Sequence, residues 1–441
     1  MTSGMSRGGG IDRRRFLGLT AVAGTGWTLS ACGIGGAGGG GEGDRDGSSS
    51  AINALFMAQA GYSEGDVRAM TATFEKINPG IKVMPSFVAY EALHDRIVAG
   101  AGSHDVVLMD VVWPAEFSSK KIVADVTDRY PVSWTQGMFT GALQTAEYDG
   151  KFYGVPWILD TKYLYVNTQH LAQAGVDPAT LETWAGVIDA ARALKSRGVV
   201  KYPLVWSWSQ AEAIMCDYAQ LLGAFGGSFL DGNGRPAFNT GGGVRALEFM
   251  QQTLREGLTN PASVISIEED VRKTFTNGDA SFALNWTYMY AMSHNPAESK
   301  VVGNVAIRQT PAGPSGRRPG VNGSMALGVS ARSTKQQAAW RYVEYLTSQR
   351  VQESYSKSSL PVWKTSYDHP KVREINPATV AVAKKQLDHL ILRPAVTGYN
   401  IISQRIQVEL LKALAGGGRG KPAQRALDDA ARAAESIMAR S

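Results

Sequence analysis

Residues 52–109 decide the fold: Ile52-Asn53-Ala54-Leu55-Phe56 opens them, Ile81-Lys82-Val83 stands in the middle, and Asp105-Val106-Val107-Leu108-Met109 closes them. Each is a short apolar run of the kind that forms a buried strand. Between the first two, Val67, Met70, Phe74 and Ile77 recur near helical spacing until Asn78-Pro79-Gly80 stops the segment. A second helix is predicted from Glu91 to Ala99. This β-α-β-α-β order makes an α/β fold with a mainly parallel sheet flanked by helices. Sites on such sheets lie beyond the carboxyl ends of strands, which makes Asp110 a site candidate.

The same rhythm returns further on. Leu164-Tyr165-Val166-Asn167, Tyr202-Pro203-Leu204-Val205 and Ser281 to Leu284 read as strands, and Trp184–Arg197 and Ala211–Phe225 as helices. Asp231-Gly232-Asn233-Gly234 reads as a turn, because no glutamate follows at EF-hand spacing. A chain of 441 residues exceeds what one core usually supports. With no flexible linker inside the body, two lobes joined by hinge crossovers are expected. The boundaries expected are 51–159 plus 308–334 for the first lobe, and 160–307 plus 335–441 for the second.

Composition is ordinary: 44% hydrophobic and 19% charged, with six histidines and two cysteines. The formal net charge of +6 is concentrated at the start, where Arg7, Arg13, Arg14 and Arg15 face only Asp12. No basic run interleaved with aromatics remains, so no nucleic-acid partner is expected. The Cys and His content predicts no metal site, disulfide or cofactor.

Residues 1–31 read as a cleaved export signal. Asp12-Arg13-Arg14-Arg15-Phe16-Leu17 resembles the twin-arginine signal, and the apolar stretch from Phe16 to Ala31 is 16 residues long. That is short of the roughly 20 needed to span a bilayer. Leu29-Ser30-Ala31-Cys32-Gly33 resembles the bacterial lipobox, with the Cys32 thiol as the group that takes the lipid. Each buried CH₂ of such an anchor contributes about 0.8 kcal/mol. Gly33 to Ser50 holds nine glycines in 18 residues, a tether with a root-mean-square span of about 23 Å. An extracytoplasmic lipoprotein, lipid-anchored to the cell membrane, is expected. The remaining thiol, Cys216, reads as a packed core cysteine.

Several segments in this order resemble the extracellular solute-binding proteins of carbohydrate ABC importers. They are Phe74 to Val83, His104 to Asp110 with Trp113 and Phe117 after it, and Asp149-Gly150-Lys151-Phe152-Tyr153-Gly154-Val155-Pro156. Phe225 to Asp231 and Asn277-Gly278-Asp279-Ala280-Ser281-Phe282-Ala283 follow. Asp110-Val111-Val112-Trp113 and Leu392-Arg393-Pro394-Ala395 are most similar to the trehalose/maltose-type branch, from which Trp157-Ile158-Leu159-Asp160 departs. The resemblance implies a periplasmic-binding-protein-like fold, a sugar ligand, a permease of transmembrane subunits as partner, a monomeric state and no catalysis.

A sugar site needs carboxylates, amides or arginine for the hydroxyls and a flat aromatic face for the C–H side. Trp157 and Asp160 fall in the predicted first crossover; for Asp160 the alternative is an interlobe ion pair. Asp110 has a helix N-cap as its alternative. Asn285-Trp286-Thr287-Tyr288 resembles the family's stacking segment, with Trp286 as the platform. Trp208, Gln210 and Glu212 lie where a loop enters a helix. Gln59 and Tyr62 follow the first strand, and Gly323 lets backbone approach a ligand. Arg393 resembles the branch's late ligand-binding arginine. Competing functions are a secreted glycoside hydrolase using Asp110 and Asp160, or a receptor for a non-sugar such as a glycerophosphodiester. No H-E-x-x-H motif occurs in the sequence.

Overall fold

Strand Val106–Asp110 is buried at all five positions, as is Met325–Val329 beside it. That is the pattern of strands covered on both faces. They lie at the heart of a five-stranded sheet in the computed structural model, which describes residues 50–58, 61–357 and 359–440. The strand order is Ile81–Val88, Ser50–Met57, Val106–Asp110, Met325–Val329, Val155–Ile158. Ile81–Val88 is the edge strand, and there Pro85 is tolerated. Helix Glu64–Ile77 starts at a capping box, with Ser63 Oγ accepting from the Asp66 N–H and the Ser63 N–H donating to Asp66. It buries Val67, Met70, Thr71 and Phe74, while Ile77 is 64% exposed.

The second sheet is four-stranded, in the order Val305–Arg308, Tyr163–Asn167, Phe282–Asn285, Leu204–Val205. Each sheet runs in one direction except for a single strand. In the first sheet Met325–Val329 is antiparallel to both neighbours. In the second, Tyr163–Asn167 is the reversed strand. Both reversed strands stand where the chain has just crossed from one sheet to the other. The architecture is thus two α/β lobes, each mainly parallel, joined by crossovers at 159–162 and 309–324.

The chain after residue 335 divides between the lobes, although 335–441 was expected in the second. Helix Gln336–Thr347 packs against Ser50–Met57, Val155–Ile158 and Met325–Val329 of the first sheet. Its Tyr342 hydroxyl lies 2.6 Å from Thr71 Oγ1, and its ring is 5.0 Å from that of Phe74. The apolar face Ala339, Val343 and Leu346 is fully buried there, and that burial decides the docking. Pro377–Gln386 then touches Val305–Arg308 and Leu390–Ile391 touches Glu212–Ala224, before Tyr399–Gly418 packs on Gly241–Arg255 and Glu212–Ala224 of the second lobe. Ala423–Met438 follows, packing on Tyr399–Gly418 and Gly241–Arg255. Among the described residues no helix is long and apolar enough to cross a membrane. Residues 1–31 and Cys32 lie outside the described residues.

Leu346→Ala should cost about 2–5 kcal/mol of stability, the range for emptying a buried leucine site. Native-state hydrogen exchange should show the lost protection in Ser50–Met57 rather than in Phe282–Asn285. Equal loss in both sheets would reject this packing.

Candidate ligand-binding site

Three separate chain segments run side by side between the lobes. The Gly323 N–H donates to the Asp160 carbonyl at 3.1 Å, tying the first crossover to the second. The Asn322 N–H donates to the Ile391 carbonyl at 3.0 Å, and Gly320–Val321 pairs in parallel with Leu390–Ile391. These pairings place Asp160, Gly323 and Arg393 together, though they are far apart in sequence. They border a cleft with about 800 Å³ unfilled by protein atoms, also lined by Asp110, Glu212, Trp286 and Tyr288.

Arg393 is 3% exposed and bridges the two lobes. Its Nη2 donates to Asp110 Oδ1 at 2.9 Å and to the Asn322 carbonyl at 3.2 Å, and its Nη1 donates to Glu212 at 2.7 Å. Asp110 ends strand Val106–Asp110 in the first lobe and also accepts from the Tyr90 hydroxyl at 3.0 Å. Glu212 opens helix Glu212–Ala224 in the second lobe, where a carboxylate suits the positive end of the helix dipole. It further accepts from Ser403 Oγ at 2.6 Å and from the Tyr399 hydroxyl.

Asp160 is 4% exposed. Its Oδ1 accepts from the Thr161 N–H at 2.8 Å, the Thr287 N–H at 3.2 Å and the Thr287 hydroxyl. No described residue donates to Oδ2. Burial raises this carboxyl from its ordinary 3.8 to about 7, against the opposing pull of the Thr287 and Thr161 bonds.

Trp286 is half-buried, and its indole lies so close to Gly323 that a Cβ added there would stand 2.2 Å from Cζ3. The absent side chain is therefore what admits the ring. Lys162, wholly buried, sits 5.1 Å from the indole centroid. Asp217 at 2.7 Å and Glu268 at 3.0 Å neutralise its ammonium.

Of the residues expected at the site, Asp110, Asp160, Glu212, Trp286, Tyr288, Gly323 and Arg393 line this cleft. Trp157 does not: it packs between Phe56, at 5.4 Å, and Tyr62, at 4.7 Å, both of them core residues. Trp208 is fully buried against Trp206. Asn285 is buried as well, donating to the Glu268 carbonyl and accepting from the Trp286 N–H, so it shapes the platform's backbone. Trp113 and Gln210 border an adjoining groove with about 1380 Å³ unfilled by protein atoms, which meets the cleft at Tyr90, Glu91 and Glu212. Gln59 lies outside the described residues. The lining also includes Tyr90, Glu91, Cys216, Glu268 and Glu269, which sequence reading passed over. Tyr90 was findable, since it stands two residues past the end of strand Ile81–Val88 and obeys the same strand-end rule that selected Asp110.

Two predictions follow from this geometry. Gly323→Ala should cost about 1–3 kcal/mol by overpacking the indole. The same change in a Trp286→Ala background should be nearly neutral; equal costs in both backgrounds would show that the indole is not what Gly323 admits. The second concerns pH. The folded state holds the Asp160 proton more tightly than the unfolded chain, so the stability this carboxyl lends below about pH 4 drains away as pH rises to about 7. Asp160→Asn should accordingly gain stability relative to the unaltered protein across that window, measured by denaturant midpoints. A difference that stays flat with pH would refute it.

Residues 49–353 match the model of the bacterial extracellular solute-binding protein family. A probable ABC transporter-binding protein of Deinococcus radiodurans is 29% identical over 282 residues, which are 61% of this chain and 66% of that protein. The chain thus spans just under two thirds of that relative's length. A putative binding protein of Brucella abortus is 25% identical over 378 residues, 83% of this chain and 88% of its own. The maltose-bound MalE3 of T. maritima shares the fold at a TM-score of 0.80 and 26% identity, over 88% of this chain and 99% of that one. The family match covers most of the two-lobed body, and the chain belongs to the bacterial extracellular solute-binding proteins.

Proposed function

We propose that this protein captures a sugar between its lobes and delivers it to the permease of an ABC importer, held outside the cell membrane by a lipid on Cys32. One observation carries the sugar reading. The cleft sets a half-exposed indole, Trp286, beside a buried carboxylate, Asp160, that has an oxygen left without a donor. A ring of C–H groups suits the first and a hydroxyl the second. Among the described residues, the one basic side chain lining the cleft, Arg393, is already paired with two carboxylates. An anionic ligand such as a phosphodiester finds no uncommitted cation there. The likeness to a maltose-bound protein supports the same reading.

The mechanism proposed is closure about the crossovers. A ligand touching Asp160 and Trp286 on one side and groups such as Met325 on the other favours the closed state by its differential affinity. The closed pair of lobes is what the permease recognises. Thermal melts with a panel of di- and oligosaccharides should show a stabilising shift without any turnover of the sugar. Trp286→Ala should weaken the best ligand by more than about tenfold, the loss expected for a central aromatic platform. Steady hydrolysis of the bound sugar, or an unaltered affinity in Trp286→Ala, would sink this proposal.

A further inference from the structure

Both buried cations beside the cleft are over-compensated. Arg393 has Asp110 at 2.9 Å and Glu212 at 2.7 Å. Lys162 has Asp217 at 2.7 Å and Glu268 at 3.0 Å. Each triad therefore has one carboxylate more than it has cations. Glu269, by contrast, is matched by Arg272 at 2.6 Å. Asp160 adds a third acidic group: it is 4% exposed, lines the cleft, faces no cation and has Oδ2 unpartnered among the described residues. Glu91 at the rim is exposed and forms no ion pair among the described residues. The cleft wall is thus acidic although the whole chain carries +6.

A neutral polyol hydrogen-bonds to such a wall and leaves its excess charge unanswered. A cation answers it, since a buried charge is tolerated only when paired. We propose that the natural ligand carries a protonated amine, as an amino sugar or an aminated polyol does, and that this ammonium sits against Asp160 Oδ2. An ammonium supplies a charge-assisted hydrogen bond to an oxygen that otherwise receives none. The indole of Trp286 is a poorer place for it, because Lys162 already lies 5.1 Å from that ring's centroid. The ring is left to the ligand's apolar C–H face. This inference rests on the sugar-capture reading and narrows its substrate class.

Calorimetric titration of the full chain at neutral pH tests it, using glucose, glucosamine and N-acetylglucosamine, the matching β-1,4 disaccharides, and choline and putrescine as cations without a sugar. The aminated sugar should bind about tenfold or more tighter than both its neutral parent and its N-acetyl form, as expected for a desolvated charge pair. High salt should narrow that ratio. Asp160→Asn should reduce the ratio by a similar factor, and Glu91→Gln, at an exposed position, should reduce it less. Amine and parent binding alike, or the parent binding tighter, overturns the charge inference and leaves sugar capture standing. Choline or putrescine binding above every sugar keeps the charge and removes the carbohydrate. Failure of every ligand to bind overturns both.

Discussion

Arg393 holds the two lobes to one another. Its guanidinium reaches the end of a first-lobe strand through Asp110 and the start of a second-lobe helix through Glu212. It does so almost without solvent, where each bond resists exchange with water. A planar fork with fixed donor directions suits this role, because a lysine has no second arm for the opposite lobe. The Tyr90, Tyr399 and Ser403 hydroxyls complete the carboxylates' bonding. The position of this one side chain therefore sets the distance between the cleft walls.

The same region joins the sheets. Each sheet has one strand running against the rest, and in both cases it is the strand entered after a crossover. Reversing that strand brings the crossing segments out side by side, so that the Gly323 N–H donates to Asp160 and the Asn322 N–H to Ile391. The joint built this way also forms the floor of the cleft, which Asp160, Gly323 and Arg393 line.

Within the cleft, aromatic and charged groups depend on one another. The glycine at 323 admits the indole, and buried Lys162 occupies space beside that ring. Asp217, itself pushed up to about 6 by burial, and Glu268 hold the lysine. Asp160 stands apart from these pairs, with hydroxyl and amide donors but no cation among the described residues.

Much of the fold was legible in residues 52–110, because the alternation of apolar runs with helical periodicity is a local property. Strand Val106–Asp110 and helix Glu64–Ile77 arise from patterns and a cap within a few residues of themselves. Asp110 was legible for the same reason, lying at a strand end. The docking of Gln336–Thr347 was not, since an amphipathic helix fits the apolar face of either lobe and only packing chooses. Trp157 and Trp208 show the same limit: a tryptophan's sequence neighbours do not say whether its ring meets solvent or Tyr62 and Trp206. By itself, then, the sequence determined the alternating strands and helices, their caps and the candidate polar groups, all set by local chemistry. The tertiary structure alone decided which of those groups share one cleft, because Asp110, Asp160, Gly323 and Arg393 meet only through long-range pairings.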